Sequence, residues 1–262
     1  MIDFHSHLDL YPGALNLLAE VSRRNAFTFV VTTSPRAYVA TSRVFAHCPN
    51  VHVGLGLHPE VASMKANEED ALVREVASAK LIGEIGLDGS ARFRESLSTQ
   101  ERIFERVVRE CEHQGGRVMS IHSRGAEARV LQILGRYPQA GTPVLHWFSG
   151  GAKDLETAIK LGCWFSIGPA MMRGEKGRQI AARIPMDRVL PETDGPFTQQ
   201  KGQTLMPWDA WTVRSALAET WQVDEAKAGL ILQRNLLTLL GPKLAKSLEV
   251  SLPGASELPA PG

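Results

Sequence analysis

The sequence predicts an α/β fold in which eight parallel strands, each followed by a helix, close into a (β/α)8, or TIM, barrel. Three observations carry this. Short runs rich in β-branched and aromatic residues recur along the chain, segments of helical period separate them, and 262 residues is the size of one such barrel. An open doubly wound sheet usually has fewer units and a glycine-rich first turn, which the opening MIDFHSHL lacks.

The strand runs, in order, are MIDFHSHL, FTFVVTTS, VHVGLGLHP, KLIGEIGLD, RVMSIHSR, TPVLHWFSG, CWFSIGPA and RVLPETDGP. The stretches between them, such as ALNLLAEVSRRN, STQERIFERVVRECEHQG and KDLETAIKLG, carry apolar residues three and four apart with charges opposite, as half-buried helices do. Asn67 and Ser98 are placed to cap two of them. After the last strand, PWDAWTVRSALAETW and DEAKAGLILQRNLLTLLG predict two further amphipathic helices covering the outside of the barrel. One domain is therefore expected over residues 1–245. Residues 246–262 end in SLPGASELPAPG, which is rich in Pro, Gly and small residues without a period, and are expected to be a disordered tail.

Composition narrows the function classes. With 29 basic and 28 acidic residues the net charge is +1, so no global field draws the chain to a polyanion and any such contact must be local. There is no secretory leader pattern and no run of eighteen apolar residues, so the cytoplasm is the expected location and no membrane partner is foreseen. Cys48, Cys111 and Cys163 are odd in number and far apart, which fits reduced thiols better than disulfides or a metal knuckle.

In such barrels the chemistry gathers at the C-terminal ends of the strands. There the sequence places His5 and His7, His58, Glu84, His122, His146, and Glu192 with Asp194. The remaining histidines, His47, His52 and His113, need no role. Because side chains alternate along a strand, Asp3, His5 and His7 are expected on one side, with Asp3 below the rings where its carboxylate could fix a tautomer. Imidazoles with carboxylates and no thiolate suit Zn²⁺ or Mn²⁺, with Mg²⁺ less comfortable. His5, His7, His122, His146, Glu84 and Asp194 are too many for one tetrahedral ion with an open position. They suit two divalent ions about 3.5–4 Å apart, with Glu84 as the natural bridge. His58, in GLHP, serves equally well as a turn residue before proline.

The motifs DFHSHLD, GLHPE, GEIGLD, SIHSR, LHWFSG and ETDGPF, lying between residues 3 and 197, resemble in kind and order those of the TatD family of metal-dependent deoxyribonucleases, within the amidohydrolase-like barrels. The resemblance implies that His5, His7, Glu84 and Asp194 hold one metal and Glu84, His122 and His146 the other, with His58 and Arg124 near the scissile phosphate. Three motifs depart from the family pattern beside their ligands. Gly89 and Ser90 stand where most members resemble each other in carrying tyrosines, Trp147 replaces a cysteine, and Gly195 replaces a serine. The combination of GEIGLDGS, VLHWFSG, GCWFSIGPAM and ETDGPF also resembles the QatD branch, the TatD-like component of the Qat anti-phage system. That narrower resemblance implies other Qat defence proteins as partners.

The function expected is phosphodiester hydrolysis of DNA, as single strands or ends, by a water activated between two metals. In it Asp194 would bind metal and accept a proton, Glu84 would bridge, and His58 or Arg124 would steady the phosphate. Trp147, Phe197 and Trp208 either stack on bases or merely cover loops. Two alternatives stay open, a small-molecule amidohydrolase or deaminase on the same barrel, and an interaction subunit of a defence complex with structural metals.

Overall fold

Each predicted run contains a strand: β1 (Ile2–Ser6), β2 (Phe27–Val31), β3 (Val51–Gly54), β4 (Leu81–Gly86), β5 (Arg117–His122), β6 (Gly141–His146), β7 (Trp164–Ile167) and β8 (Val189–Pro191). The computed structural model describes residues 1–252. The principal helices are α1 (Ala14–Arg24), α2 (Pro35–Phe45), α3 (Ala62–Lys65), α4 (Glu69–Glu75), α5 (Leu97–His113), α6 (Glu127–Arg136), α7 (Ala152–Lys160), α8 (Pro169–Met172), α9 (Glu175–Ala181), α10 (Val213–Trp221) and α11 (Glu225–Ser247). Among the described residues, no helix is long and apolar enough to cross a membrane.

The parallel ladder runs as two sheets, β1-β2-β3 and β4-β5-β6-β7-β8, and two seams close them into a barrel. At one seam Gly83 N–H donates to Leu55 O (2.8 Å) and Leu55 N–H to Leu81 O (3.1 Å). At the other, His7 N–H donates to Gly195 O (2.8 Å) and Asp194 N–H to His5 O (2.9 Å). Both seams lie beside carboxylates of the expected site, Glu84 and Asp194.

Two strands carry one residue more than their neighbour. Against β2, Asp3 pairs with Thr28 but Ser6 with Val30. Against β5, Ile82 pairs with Met119 but Ile85 with Ile121. Such bulges re-aim side chains, and here they fall at His5 and at Glu84. The expected common parity of Asp3 with His5 and His7 is broken by the first of them. The close approach of the strands also constrains glycine. A Cβ on Gly56 would fall 2.2 Å from Thr32 O and 2.3 Å from Glu84 N, so only glycine lets the end of β3 pass the Glu84 backbone.

Burial is apolar around this frame. One cluster joins Phe4, Phe27, Phe29 and residues of β4 to β8 with Leu236, Leu239 and Leu240 of α11, and a larger one packs the helices on the outer strand faces. Cys111 and Cys163 are buried free thiols, and burial pushes both up to about 12. Several boundaries differ from expectation. The helix expected to be capped by Ser98 begins at Leu97, and Asn67 lies in a 3-10 turn ahead of α4, so neither side chain caps. PWDAWT is a 3-10 segment leading into α10. In α11, Gly241 at φ 63° and Pro242 break the helix and let a last turn continue to Ser247. Residues 246–252 are therefore not a loose tail, because Leu248 and Leu252 are buried against the core. The rest of the expected tail, 253–262, lies outside the described residues.

His52 offers a test of the packing. It is 8% exposed and stacks on Phe27 with ring centroids 4.7 Å apart. Burial, helped by Lys80, lowers its pKa to about 4. As pH falls the unfolded chain takes up this proton first, so stability from the neutral ring is whole above about pH 6.5 and is lost on descending toward pH 4. The urea-unfolding stability of wild type relative to His52→Leu should fall by about 2 kcal/mol between pH 7 and pH 4.5. A constant gap between the two would refute it.

Candidate metal centre

The seam between β3 and β4 delivers Glu84 to the barrel axis, where its side chain is 1% exposed and five imidazoles surround it. Oε2 faces His5 Nε2 at 3.4 Å, His7 Nε2 at 3.1 Å and His58 Nε2 at 3.1 Å. Oε1 faces His122 Nδ1 at 2.8 Å and His146 Nε2 at 3.0 Å. Asp194 approaches from the opposite seam, with Oδ1 3.7 Å from both His5 Nε2 and His7 Nε2. The six side chains expected as ligands thus converge, with His58 beside them.

Electrostatics divide the carboxylates. Burial alone would raise Glu84, but the field of His58, His146 and His5 holds it well below the usual carboxylate range. Asp194, half-buried, is raised by its removal from water, against the opposing pull of His146 and His7. Burial disfavours the His122 imidazolium, yet hydrogen bonds to Asp88 and Glu84 carry its pKa up to about 10. His5 Nε2 and Glu84 Oε2 are buried with no hydrogen-bond partner among the described residues. Two atoms that can both present lone pairs, buried 3.4 Å apart without a hydrogen bond, are what a divalent cation would satisfy.

Outer partners hold the rings. His5 Nδ1 lies 2.7 Å from Ser120 Oγ, and His122 Nε2 lies 2.9 Å from Asp88 Oδ2. His146 Nδ1 lies 3.7 Å from Glu192 Oε2, beyond hydrogen-bond distance, and that oxygen accepts from Ser166 Oγ–H. Asp88 accepts from Ser90 N–H (2.8 Å), and its own N–H donates to Gln100 Oε1 (2.7 Å). Asp3, expected to touch a ligand ring, does not. The bulge turns it toward β8, where it accepts from Thr193 N–H (2.9 Å) and Thr193 Oγ1–H (2.6 Å). Sequence reasoning missed Ser120 and Asp88, although Asp88 stands four residues after Glu84 within the quoted GEIGLD. Asp9 lies in the 3-10 turn Leu8–Leu10 after β1 and accepts from Thr41 Oγ1–H.

Above the centre opens a cavity of about 650 Å³ lined by His7, His58, Glu84, His122, His146 and Asp194, and walled by Arg124, Trp147 and Phe197. Arg124 is exposed, with no carboxylate partner among the described residues. Phe197 is 65% exposed and sets its ring edge-on to His7, with centroids 5.1 Å apart. Trp147 takes a positive φ of 38°, a strained region for a bulky side chain, and its backbone N–H donates to Glu192 Oε1 (3.0 Å). Trp208 does not reach the cavity. It packs with the Leu8, Tyr11 and Val21 cluster beneath the Arg24 guanidinium, 4.5 Å from the ring centroid, because the loop after β8 folds back over α1.

The unusual wall residues have local reasons. Gly89 N–H donates to Arg124 O (2.8 Å), and a Cβ on Gly89 would fall 2.2 Å from Gly125 O. A Cβ on Gly195 would fall 1.8 Å from the Tyr11 hydroxyl, which fills that space.

The sequence model of the family described as TatD related DNase matches residues 2–241. An uncharacterized metal-dependent hydrolase, YjjV, of Escherichia coli K12 is 26% identical over 255 residues, covering 91% of this chain and 96% of that protein. The human deoxyribonuclease TATDN3 is 25% identical over 210 residues, covering 77% of this chain and 76% of its own. A 3′-5′ ssDNA/RNA exonuclease TatD of Erwinia tasmaniensis is 32% identical over 149 residues, 54% of this chain and 57% of its own. The crystal structure of YjjV superposes with a TM-score of 0.81 at 23% identity over 91% of this chain and 97% of that one, which shows the same fold.

Asp3 gives this region its test. Asp3→Ala would leave the Thr193 N–H and hydroxyl buried without partners, at a cost of about 2–4 kcal/mol. Denaturant unfolding should show that loss, whereas a change under about 0.5 kcal/mol, the range of an ordinary surface substitution, would remove Asp3 from the β8 seam.

Proposed function

The chain belongs to the TatD-related DNase family of metal-dependent hydrolases, and we propose that it cuts phosphodiester bonds in DNA, as single strands or ends, at a two-metal centre. One observation carries this reading: the buried Glu84 carboxylate turns one oxygen to His5 and His7 and the other to His122 and His146. His5, His7, Glu84 and Asp194 would hold one ion, and Glu84, His122 and His146 the other. Zn²⁺ and Mn²⁺ suit these donors best. Divalent ions bound there would supply Lewis acidity to phosphate oxygens and make water acidic enough to attack phosphorus near neutral pH.

The chain's own groups do the rest. The Asp194 carboxylate stands at the cavity floor, where burial has raised its basicity, and is placed to accept a proton from the attacking water. Arg124 offers a planar fork of donors to a phosphate from the exposed rim. Trp147 and Phe197 present aromatic surface on which unpaired bases can stack, whereas a duplex hides its bases. A net charge of +1 favours a short strand held in a cleft over a long duplex footprint. The name of the Erwinia relative, a 3′-5′ ssDNA/RNA exonuclease, agrees with that preference.

A role in Qat-type phage defence beside other Qat proteins is the narrower part of the reading. It is supported by the resemblance of GEIGLDGS, VLHWFSG, GCWFSIGPAM and ETDGPF to QatD, and by walls that part from the usual family pattern at Gly89, Trp147 and Gly195. Phage plating on cells with wild type or Glu84→Gln at equal protein level tests it. Loss of protection in the variant is expected, and full protection would favour an interaction subunit with structural metals.

Zinc- or manganese-loaded protein should shorten end-labelled single-stranded DNA, and Glu84→Ala should lower the rate at least about 10³-fold and reduce bound metal per chain. An uncut substrate with full metal content would overturn the nuclease reading. Phe197→Ala should raise KM for single strands about tenfold with little change in kcat, since one base-stacking surface contributes roughly 1–3 kcal/mol. An unchanged KM would take Phe197 out of the substrate path.

A further inference from the structure

We propose that the loop after β4 is a second binding surface for the substrate strand, on which Arg92 and Arg94 each hold a phosphate outside the cavity, an inference that rests on the phosphodiester reading above. Charge gives the first observation. Between Asp88 and Glu101 the chain carries these two arginines and a single acid, Glu95. Arg102, Arg106 and Arg129 are neutralised by Glu69, Asp70 and Glu101. Arg92 and Arg94 are exposed and, among the described residues, meet no carboxylate and donate no hydrogen bond. In a chain of net charge +1, two such guanidinia on one short loop make a local basic surface.

The loop is joined to the cavity wall through the backbone. Gly89 N–H donates to Arg124 O (2.8 Å), and Ser90 N lies 3.6 Å from where a Cβ on Gly125 would stand. Arg92 follows two residues later, so the arginines begin where the wall that bears Arg124 ends. The loop is also held in shape. Phe93 N–H donates to Ser90 O (3.1 Å), and Phe93 O accepts from Ser96 N–H (3.1 Å) and from Gln100 Nε2–H (3.2 Å). Gln100 Oε1 accepts from Asp88 N–H (2.7 Å), and the Asp88 carboxylate faces His122. The turn that presents the arginines and a ring that faces Glu84 therefore share one support. The Arg92 guanidinium sits over the Phe93 ring, 5.0 Å from its centroid, which restrains it before a ligand arrives. A restrained planar fork loses less freedom on taking a phosphate.

Charge on the rim sets the direction of the strand. On the loop after β3, Glu60 lines the cavity and meets no cation among the described residues, so a phosphate is repelled there. The loops after β4 and β5 carry Arg92, Arg94 and Arg124 instead. A strand held at the centre leaves the cavity over this second flank, and one long enough to reach Arg92 and Arg94 binds more tightly than a short one.

The test compares zinc-loaded wild type, Arg92→Ala/Arg94→Ala, Arg92→Lys/Arg94→Lys and Glu95→Gln on a thymidine dinucleotide and a single-stranded thymidine dodecamer. Wild type should show the lower KM on the dodecamer. The alanine pair should lose about tenfold or more in kcat/KM on the dodecamer beyond any loss on the dinucleotide, with the loss in KM. Its plot of log KM against log salt for the dodecamer should flatten by roughly 1.4, at about 0.7 for each phosphate contact. The lysine pair keeps both charges and should recover most of the loss. Glu95→Gln should lower KM for the dodecamer about threefold, a gain that misfolding cannot imitate. Equal losses on the two substrates would give the loop a structural role only, while an unchanged salt dependence, or no gain in Glu95→Gln, would remove the phosphate contacts; each overturns the proposal. Should wild type cleave neither substrate, the phosphodiester reading falls, while the anisotropy of a labelled dodecamer on zinc-loaded protein still decides whether the alanine pair releases the strand.

Discussion

A carboxylate held 1% exposed at the middle of a barrel is the constraint on which the rest depends. Taking an ionised carboxylate out of water is prohibitive unless positive charge or strong donors meet it on every side. Glu84 meets imidazoles from the ends of β1, β5 and β6 and from the loop after β3, so four chain segments far apart in sequence must end at one point. Rings alone satisfy it imperfectly, since Glu84 Oε2 and His5 Nε2 keep no hydrogen-bond partner among the described residues. A cation answers both atoms at once, so the demand for metal is built into the packing and does not come only from a motif.

Regular strands could not make this convergence. The bulge at His5 lets β1 turn His5 and His7 to the same carboxylate while Asp3 turns to β8. The bulge at Glu84 brings β4 across the end of β2, where Thr32 N–H donates to Gly83 O (2.9 Å) and Glu84 N–H to Thr32 O (3.2 Å). Each irregularity sits at a seam where the parallel ladder is thin, and the backbone groups that a continuous ladder would have paired are instead paired across the seam. The carboxylates stand at the seams because a strand is free to depart from its pleat only there.

This also says what the sequence could and could not disclose. The eight runs were legible because β-branched and aromatic residues mark strands whatever their register, and the six converging side chains were legible because strand ends of this fold face one mouth. Bulges leave no mark in a pattern read by parity, so Asp3 was expected below a ring and stands at the seam instead. Ser120 and Asp88 are ordinary residues whose role arises only from what they face. Of the two roles left open for Trp208, stacking on bases or covering a loop, contact with Arg24 and the Tyr11 cluster leaves the second. The turn at Gly241 and Pro242 likewise carried the last helix past the expected end of the domain.

The departures from the family pattern now separate by what they touch. Gly89 is pressed against Gly125 and bonded to the Arg124 carbonyl, so the loop after β4 fixes the backbone that presents Arg124. Gly195 yields its side-chain space to Tyr11, whose hydroxyl donates to Leu205 O and so ties the loop bearing Phe197 to the loop after β1. Trp147 hangs from Glu192, the same carboxylate that faces His146. None of the three alters a group that faces Glu84, and each resets a wall of the cavity through the backbone behind it. In this chain the centre and its rim are therefore separate layers: the buried carboxylate fixes the first, while Gly89, Trp147 and Gly195 shape the second through the backbone behind it.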